Sequence, residues 1–427
     1  MSTKARATVR DLRRVNRGAV LRRLFLQGSL NRVALAQLTG LSSGSVTNVT
    51  AALLEEGLIS EVGLEESDGG RPRVLLQVDP DFGAAIGVEV GETCIRVEAF
   101  DLRMQVVAAV EVPMHPQHHE AEVVIDQIIV AIEKLQAQFS GEGRRLLGVG
   151  VAVPGIVAEH DGQSRVHAPN IGWRDVPLEA MIRQRVHLPV FADNGAKALG
   201  QAEMWLGAGR GASHAVVALW GTGVGAAIFT NGTIYRGSAS SAGEWGHTSI
   251  VAGGKRCRCG GAGCIEAYIG GGALLEEWYR TDPAAYPLSD PDSEEWVDAF
   301  LKAARSNEAA GAALDQAATY FGVGAANLVN MFNPEKIIIG GWLGLKLGPS
   351  MLSRIRKDVQ QQALEYTASR VSIEVGQLGA EAVALGASTL VVDELLANGG
   401  TPPVMGATKY QKLSLVLGRR ARRRGRA

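Results

Sequence analysis

Three of the four cysteines in this 427-residue chain fall within eight positions, in Cys257-Arg258-Cys259-Gly260-Gly261-Ala262-Gly263-Cys264. His247 stands ten positions before the first of them, in Glu244-Trp245-Gly246-His247. Three sulfur donors and one imidazole are the ligand set of a closed, tetrahedral zinc site. Gly260, Gly261 and Gly263 let a short loop fold back so that the sulfurs face one point. With four protein ligands no position is open for water, so the expected Zn2+ is structural, not catalytic. A knot of this kind fixes the path of the chain locally, and function has to be sought around it.

Hydrophobic residues make up 46% of the chain, enough for a substantial core, and 53 glycines suit a loop-rich α/β architecture. No apolar run reaches the ~18 residues that a membrane helix needs. The basic start, Met1 to Arg6, lacks the apolar stretch of a secretory signal. Cysteines arranged for metal rather than for disulfides point to the cytoplasm.

The net charge of −1 hides a strong asymmetry. Residues 1–32 carry nine Lys/Arg against one acid, and residues 409–427 carry eight and none; the stretch between them therefore holds −17. Basic ends on an acidic body suit contact with a polyanion.

The first eighty residues have the pattern of a DNA reader. Leu12, Val15, Ala19, Leu21, Leu24 and Phe25 recur near helical spacing and predict a first helix ending at Gly28. Asn31 can cap a second helix to Thr39 that buries Leu35 and Leu38. After the Thr39-Gly40-Leu41 turn, Ser42 can cap a third helix, which ends at Gly57. Two short helices about a Gly turn make a helix-turn-helix, and the small polar residues Ser43, Ser45, Thr47 and Asn48 on the second are the candidate base and phosphate contacts. Two strand-like runs, 58–62 and 73–78, flank Gly69-Gly70-Arg71-Pro72-Arg73, a wing whose Arg71 and Arg73 can lie along a groove. The recognition helix has no Lys or Arg, so affinity would lean on the arginines of the first helix and the wing.

From residue 81 the pattern becomes α/β. A strand hairpin at 84–100 precedes a helix from Glu122 to Phe139 and a buried strand at 146–153. Strand–glycine-turn units recur at Gly221-Thr222-Gly223 and Gly340-Gly341. Paired units in both halves fit two similar lobes about a cleft. An Ala-rich helix from Ala309 to Asn330 is expected between lobes or subunits, and Asp282 to Ser293 reads as a surface loop.

Taken in order, these motifs resemble the ROK family (repressor, open reading frame, kinase) over about residues 82–396. They are Val153-Pro154-Gly155, Ala168-Pro169-Asn170-Ile171-Gly172-Trp173, Ala192-Asp193-Asn194, Gly221-Thr222-Gly223-Val224-Gly225, Glu244-Trp245-Gly246-His247, the cysteine motif through Glu266, Asn333-Pro334-Glu335, Gly340-Gly341, and Glu381 to Gly386-Ala387. The resemblance implies a two-lobed actin-like sugar-kinase body at 81–400 with its zinc loop at 247–266; the residues themselves set a winged helix-turn-helix at 1–80 before it and a basic tail, expected to be disordered, at 401–427 after it. The resemblance implies that His247, Cys257, Cys259 and Cys264 hold zinc. It also implies that Asn170, Asp193, Glu244, His247 and Glu266 line a sugar pocket, carboxylates and amides being matched to hydroxyls that both donate and accept.

A family kinase carries Asp-x-Gly-Gly-Thr at its first phosphate loop. Here the stretch is Glu89-Val90-Gly91-Glu92-Thr93, with a carboxylate where phosphate would approach backbone, and Ala192 stands where the family kinase has Asn. Asp193 would be a vestigial base. The expected function is a sugar-responsive transcriptional regulator, a repressor of carbohydrate genes. It would bind a double-stranded DNA operator and a sugar or sugar phosphate, as a homodimer or homotetramer. The alternatives are an ATP-dependent sugar kinase, and a regulator that answers to zinc itself.

Overall fold

The computed structural model describes residues 8–66, 72–114, 120–160, 163–281 and 295–404. The expected wing arginine Arg71, the 282–293 loop and residues 405–427 of the basic tail lie outside them.

The chain opens with α1 (Val9–Gln27), the two-residue β1 (Leu30–Asn31), α2 (Arg32–Thr39), α3 (Ser43–Glu55), β2 (Ile59–Glu65) and β3 (Arg73–Val78). Each helix starts where a side chain satisfies its free amides. Thr8 and Asp11 form a reciprocal capping box. Asn31 accepts from the amides of Val33 and Ala34 at 2.9 Å, and Ser42 accepts from Ser45. The strands pair as β1-β3-β2, all antiparallel, an arrangement compatible with the expected winged helix-turn-helix. Two expectations change. Leu12 and Val15 are half exposed or more, while the expected Leu21 and Leu24 are buried together with Arg17 and Val20. Leu38 is exposed, whereas Leu35 is buried. Helical period locates an apolar stripe but not how far along it a partner reaches.

The body begins with β4 (Ala84–Val90), β5 (Cys94–Phe100), β6 (Val106–Pro113), α4 (Ala121–Gly141) and β7 (Leu146–Val153). A small sheet follows, β8 (Ile156–His160), β9 (Gln163–Ala168) and β10 (Trp173–Val176), then α5 (Leu178–Val186), β11 (Val190–Asn194) and α6 (Gly195–Leu206). The second lobe holds β12 (Ala215–Trp220), β13 (Val224–Thr230), β14 (Thr233–Ile234), α7 (Glu266–Ile269), α8 (Gly271–Thr281), α9 (Glu295–Ala303) and α10 (Glu308–Phe332). It closes with β15 (Lys336–Gly340), α11 (Trp342–Gln362), α12 (Glu365–Ala368) and β16 (Ser372–Val375), after which the chain returns to the first lobe in α13 (Ala382–Ala397).

The two large sheets share one plan, with orders β11-β7-β4-β5-β6 and β14-β13-β12-β15-β16. In each, the lobe's first strand pairs antiparallel with the next and parallel with a later one. Strands covered on both faces read as continuous apolar runs, which is how Leu147 to Val153 and Ile337 to Ile339 look. The Ala-rich α10 does not lie between lobes. It packs within the second, on α11 and α8, because its small side chains let neighbouring helices approach.

α13 is buried on all sides from Ala382 to Val392 and lies between the first sheet and α6, which in turn lies on the second sheet. The approach is too close for side chains. A Cβ on Gly87 or Gly150 would stand 1.9 or 1.8 Å from the carbonyl oxygens of Ala384 or Ala387. One apolar cluster joins Val20, Leu21 and Leu24 of α1 to Leu390, Val391 and Leu395 of α13. Arg17 adds a bidentate pair to Glu56 and donates from Nε to the Gly399 carbonyl at 2.6 Å, and Arg22 pairs with Asp393.

Glu98 on β5 is 7% exposed, and among the described residues its Oε2 has no hydrogen-bond partner. Burial pushes its carboxyl up to about 7, against the attraction of Arg96 and with the help of Glu381 and Glu111. The unfolded chain ionises this group near 4.5, while the folded chain keeps its proton to about 7. Its contribution to stability is thus whole below about 4.5 and is lost as pH rises through 7. Glu98→Gln keeps the shape without the titration. Urea unfolding at about pH 5 and about pH 8 should find the variant gaining on the parent by up to ~3 kcal/mol at the higher pH. An unchanged difference at both pH values would refute the assignment.

Candidate functional site

The cysteine loop closes as the sequence predicts. The ligand atoms of His247, Cys257, Cys259 and Cys264 all lie within 4.8 Å of one another. Cys257 Sγ is 3.7 Å from His247 Nδ1, and the sulfurs of Cys259 and Cys264 are also 3.7 Å apart. Metal–sulfur bonds of ~2.3 Å in a tetrahedron place sulfurs about 3.8 Å apart, so the donor set fits a metal ion. Its chemistry fits too. Burial pushes the Cys264 thiol up to about 12, with its two sulfur neighbours adding, and a cation among the three sulfurs would offset that cost. The Gly261 amide at 3.5 Å from Cys259 Sγ holds that thiol below its usual range.

The loop is fastened to the second lobe. Short backbone bridges join Ser249 to Cys264 and Arg256 to Ala262. The Tyr268 hydroxyl accepts from the Lys255 amide at 2.8 Å, and Trp220 Nε1 donates to the Ile269 carbonyl at 2.6 Å. Glu266, the first residue of α7, is thereby held over the glycine turn after β12. Its Oε2 accepts from the Val224 amide at 2.9 Å.

A cavity of about 510 Å3 separates the lobes. The first lobe supplies the β4–β5 turn from Glu89 to Arg96, Pro154-Gly155 and Asn170. The second supplies Gly221 to Gly225, Glu244, His247, Glu266 and Trp342. Of the five residues expected about a sugar, Asn170, Glu244, His247 and Glu266 line this cleft. Burial raises the Glu244 carboxyl above its usual range, while Lys197 and His247 pull it down. Asp193 sits deeper, 1% exposed, and Arg236 grips both its oxygens at 3.1 and 2.6 Å. Lys197, also buried, donates to the Ser240 carbonyl at 2.5 Å.

Three residues that sequence reasoning passed over matter here: Arg236, Lys197 and Arg258. Arg258, between two cysteines, reaches across the cleft. Its Nη1 is 2.8 Å from Glu92 Oε2, its Nη2 is 3.7 Å from Glu266 Oε1, and Glu92 Oε1 accepts from Asn170 at 3.1 Å. The signal was present: a carboxylate in a glycine-type turn calls for a cation opposite it.

On the head, Ser43, Thr47, Asn48 and Arg73 are exposed. The Ser45 hydroxyl is 2.9 Å from that of the Ser42 cap, and the Thr47 hydroxyl donates to the Ser43 carbonyl. Among the described residues no helix is long and apolar enough to cross a membrane.

The family model described as "ROK family" matches residues 85–394. The chain belongs to the ROK family. Its ROK body explains the duplicated sheet plan and the interlobe helix, which are those of the actin-like sugar-kinase fold. Among relatives, the xylose repressor of Caldicellulosiruptor bescii is 31% identical over 90% of this chain and 97% of its own length. A glucokinase of Halalkalibacterium halodurans is 34% identical over 72% of this chain and 94% of its own. Among solved structures, a ROK family transcriptional regulator, a homologue of the E. coli MLC protein, superimposes with a TM-score of 0.75 at 25% identity. It covers 91% of this chain and 98% of that one.

Proposed function

We propose that this ROK chain is a sugar-responsive, DNA-binding transcriptional regulator that acts as a repressor in the cytoplasm. The observation that carries the reading is the winged-helix head built into the body's own core, α1 against α13. Similarity to a xylose repressor along 90% of the chain supports it, since the similarity to a glucokinase spans only 72%.

The proposed roles follow the geometry. His247, Cys257, Cys259 and Cys264 hold a structural Zn2+, which when bound keeps the thiolates ionised and the loop ordered. Asn170, Glu244, His247 and Glu266 bind sugar hydroxyls, with Asp193 beneath them. Ser43, Ser45, Thr47, Asn48, Arg71 and Arg73 approach DNA, and two or four copies place their heads on successive half-sites. Sugar that prefers one interlobe arrangement shifts the population toward it, and α13 conveys the change to α1. Phosphoryl transfer is disfavoured because Arg236 occupies both oxygens of Asp193 and Glu92 stands in the first phosphate loop.

The test is fluorescence anisotropy with DNA from upstream of the chain's own gene and of neighbouring sugar genes, with and without xylose, glucose or N-acetylglucosamine. One sugar should weaken specific binding at least about tenfold, a coupling of ~1.4 kcal/mol. Arg73→Ala should weaken binding to all sequences alike and flatten its salt dependence. Sugar-dependent ADP release in a coupled assay, with no DNA binding, would establish the kinase reading instead.

A further inference from the structure

The cleft's cationic and amide groups are already taken by the protein's own carboxylates. We infer that the cleft selects an uncharged polyhydroxy ligand over its phosphorylated form, and that Glu92 sets this preference by occupying Arg258. The inference rests on the reading of the cleft as a sugar site.

Among the described residues lining the cavity, the side chains of fixed positive charge are Arg96 and Arg258. Arg96 stands 3.4 Å from Glu89 and 3.5 Å from Glu111, and donates to the Ala380 carbonyl at 2.9 Å. Arg258 lies between Glu92 at 2.8 Å and Glu266 at 3.7 Å. Of the two lining histidines, His167 is 3.8 Å from Asp175, and His247 belongs to the metal cluster. Deeper in, Arg236 is held by Asp193.

The glycine turn follows the same rule. In a phosphate-binding turn, backbone amides point at the anion. Here the Val224 amide donates to Glu266 instead, and Glu266 Oε2 would stand 3.1 Å from a Cβ on Gly223. A carboxylate occupies the space in front of the turn.

A phosphate entering this cleft must either displace a carboxylate from an arginine or sit beside it. Both leave like charges together in a partly buried space. Sugar hydroxyls meet no such obstacle. They donate to Glu92, Glu244 and Glu266, and accept from Asn170 and Arg258, without breaking any pair. Glu92 is therefore a specificity-determining residue. It stands at the β4–β5 turn, where its removal frees a cation that faces the cavity.

The experiment is isothermal titration of the purified full-length chain with xylose, with glucose and glucose 6-phosphate, and with N-acetylglucosamine and its 6-phosphate. The free form should bind at least tenfold tighter than its phosphate. In Glu92→Gln that ratio should fall at least fivefold, chiefly through tighter phosphate binding that steepens at low salt. Adding Arg258→Met should abolish the gain. The ratio in the unaltered chain tests the selection even if a variant fails to fold. A phosphate that binds as tightly as its free sugar overturns this inference and leaves the sugar-sensor reading standing. A ratio unmoved in folded Glu92→Gln overturns the role of Glu92. No binding by any of the five compounds removes both readings.

Discussion

Cys264→Ser should abolish the metal binding proposed for this cluster and lower the melting temperature by on the order of 10 °C. Serine is a poor zinc donor, and a three-ligand remnant holds the ion weakly. Structural zinc contributes on the order of 10 kcal/mol to small domains, and even half of that is a large share of ordinary stability. The loop carries Glu266 and Arg258 as well as its ligands, so sugar affinity should fall together with metal content. Elemental analysis, thermal melting and sugar titration on the same preparation check the three expectations. Full metal occupancy with unchanged melting in Cys264→Ser would show that this thiol is no ligand. Chelator treatment of the parent chain should reproduce the variant, and added zinc should reverse it.

Glu203→Ala should be as severe for a different reason. This carboxylate is fully buried on α6, and burial raises it above its usual range while backbone amides pull it down. It accepts from the Ala208 amide at 2.8 Å and from the amides of Gln377 and Leu378 at 3.1 and 3.2 Å. It thus joins the end of α6 to the segment that leads into α13. Gly207 and Gly376 leave room for it; a Cβ on either would stand 2.0 or 2.5 Å from a carboxylate oxygen. Alanine strands three amides, each costing about 1–3 kcal/mol, against a total stability of roughly 5–15 kcal/mol. Urea unfolding should find a loss of about 5 kcal/mol, or a chain that does not fold. Glu203→Gln keeps one acceptor oxygen and should lose about half as much. A loss below ~1 kcal/mol in the alanine variant would mean that water replaces the carboxylate.

Much of this arrangement could be read from the residues alone. The metal donors are close in sequence and chemically unusual, and the helix caps and buried strands are local signals as well. What stayed hidden was pairing across distance. Arg258 and Glu92 are 166 positions apart, and Arg236 and Asp193 are 43 apart; Arg258 stands inside the cysteine motif as one of its variable positions, and Arg236 stands outside every motif quoted above. Asp193 reads as a vestigial base in the sequence, and its oxygens face a guanidinium. Leu12 and Val15 fit the helical period but are about half exposed among the described residues. Glu203 gave no signal, because a buried acid looks like any solvated one until its amides are seen.

The seam between α1 and α13 has a practical consequence for protein engineers. Arg17 and Arg22 hold Gly399 and Asp393, so the first and last of the described helices form one splint. A chimaera cut only at residue 80 would leave half of that splint behind and expose its greasy underside. Transplanting this reader to another scaffold requires carrying the strip from 390 to 400 along with it.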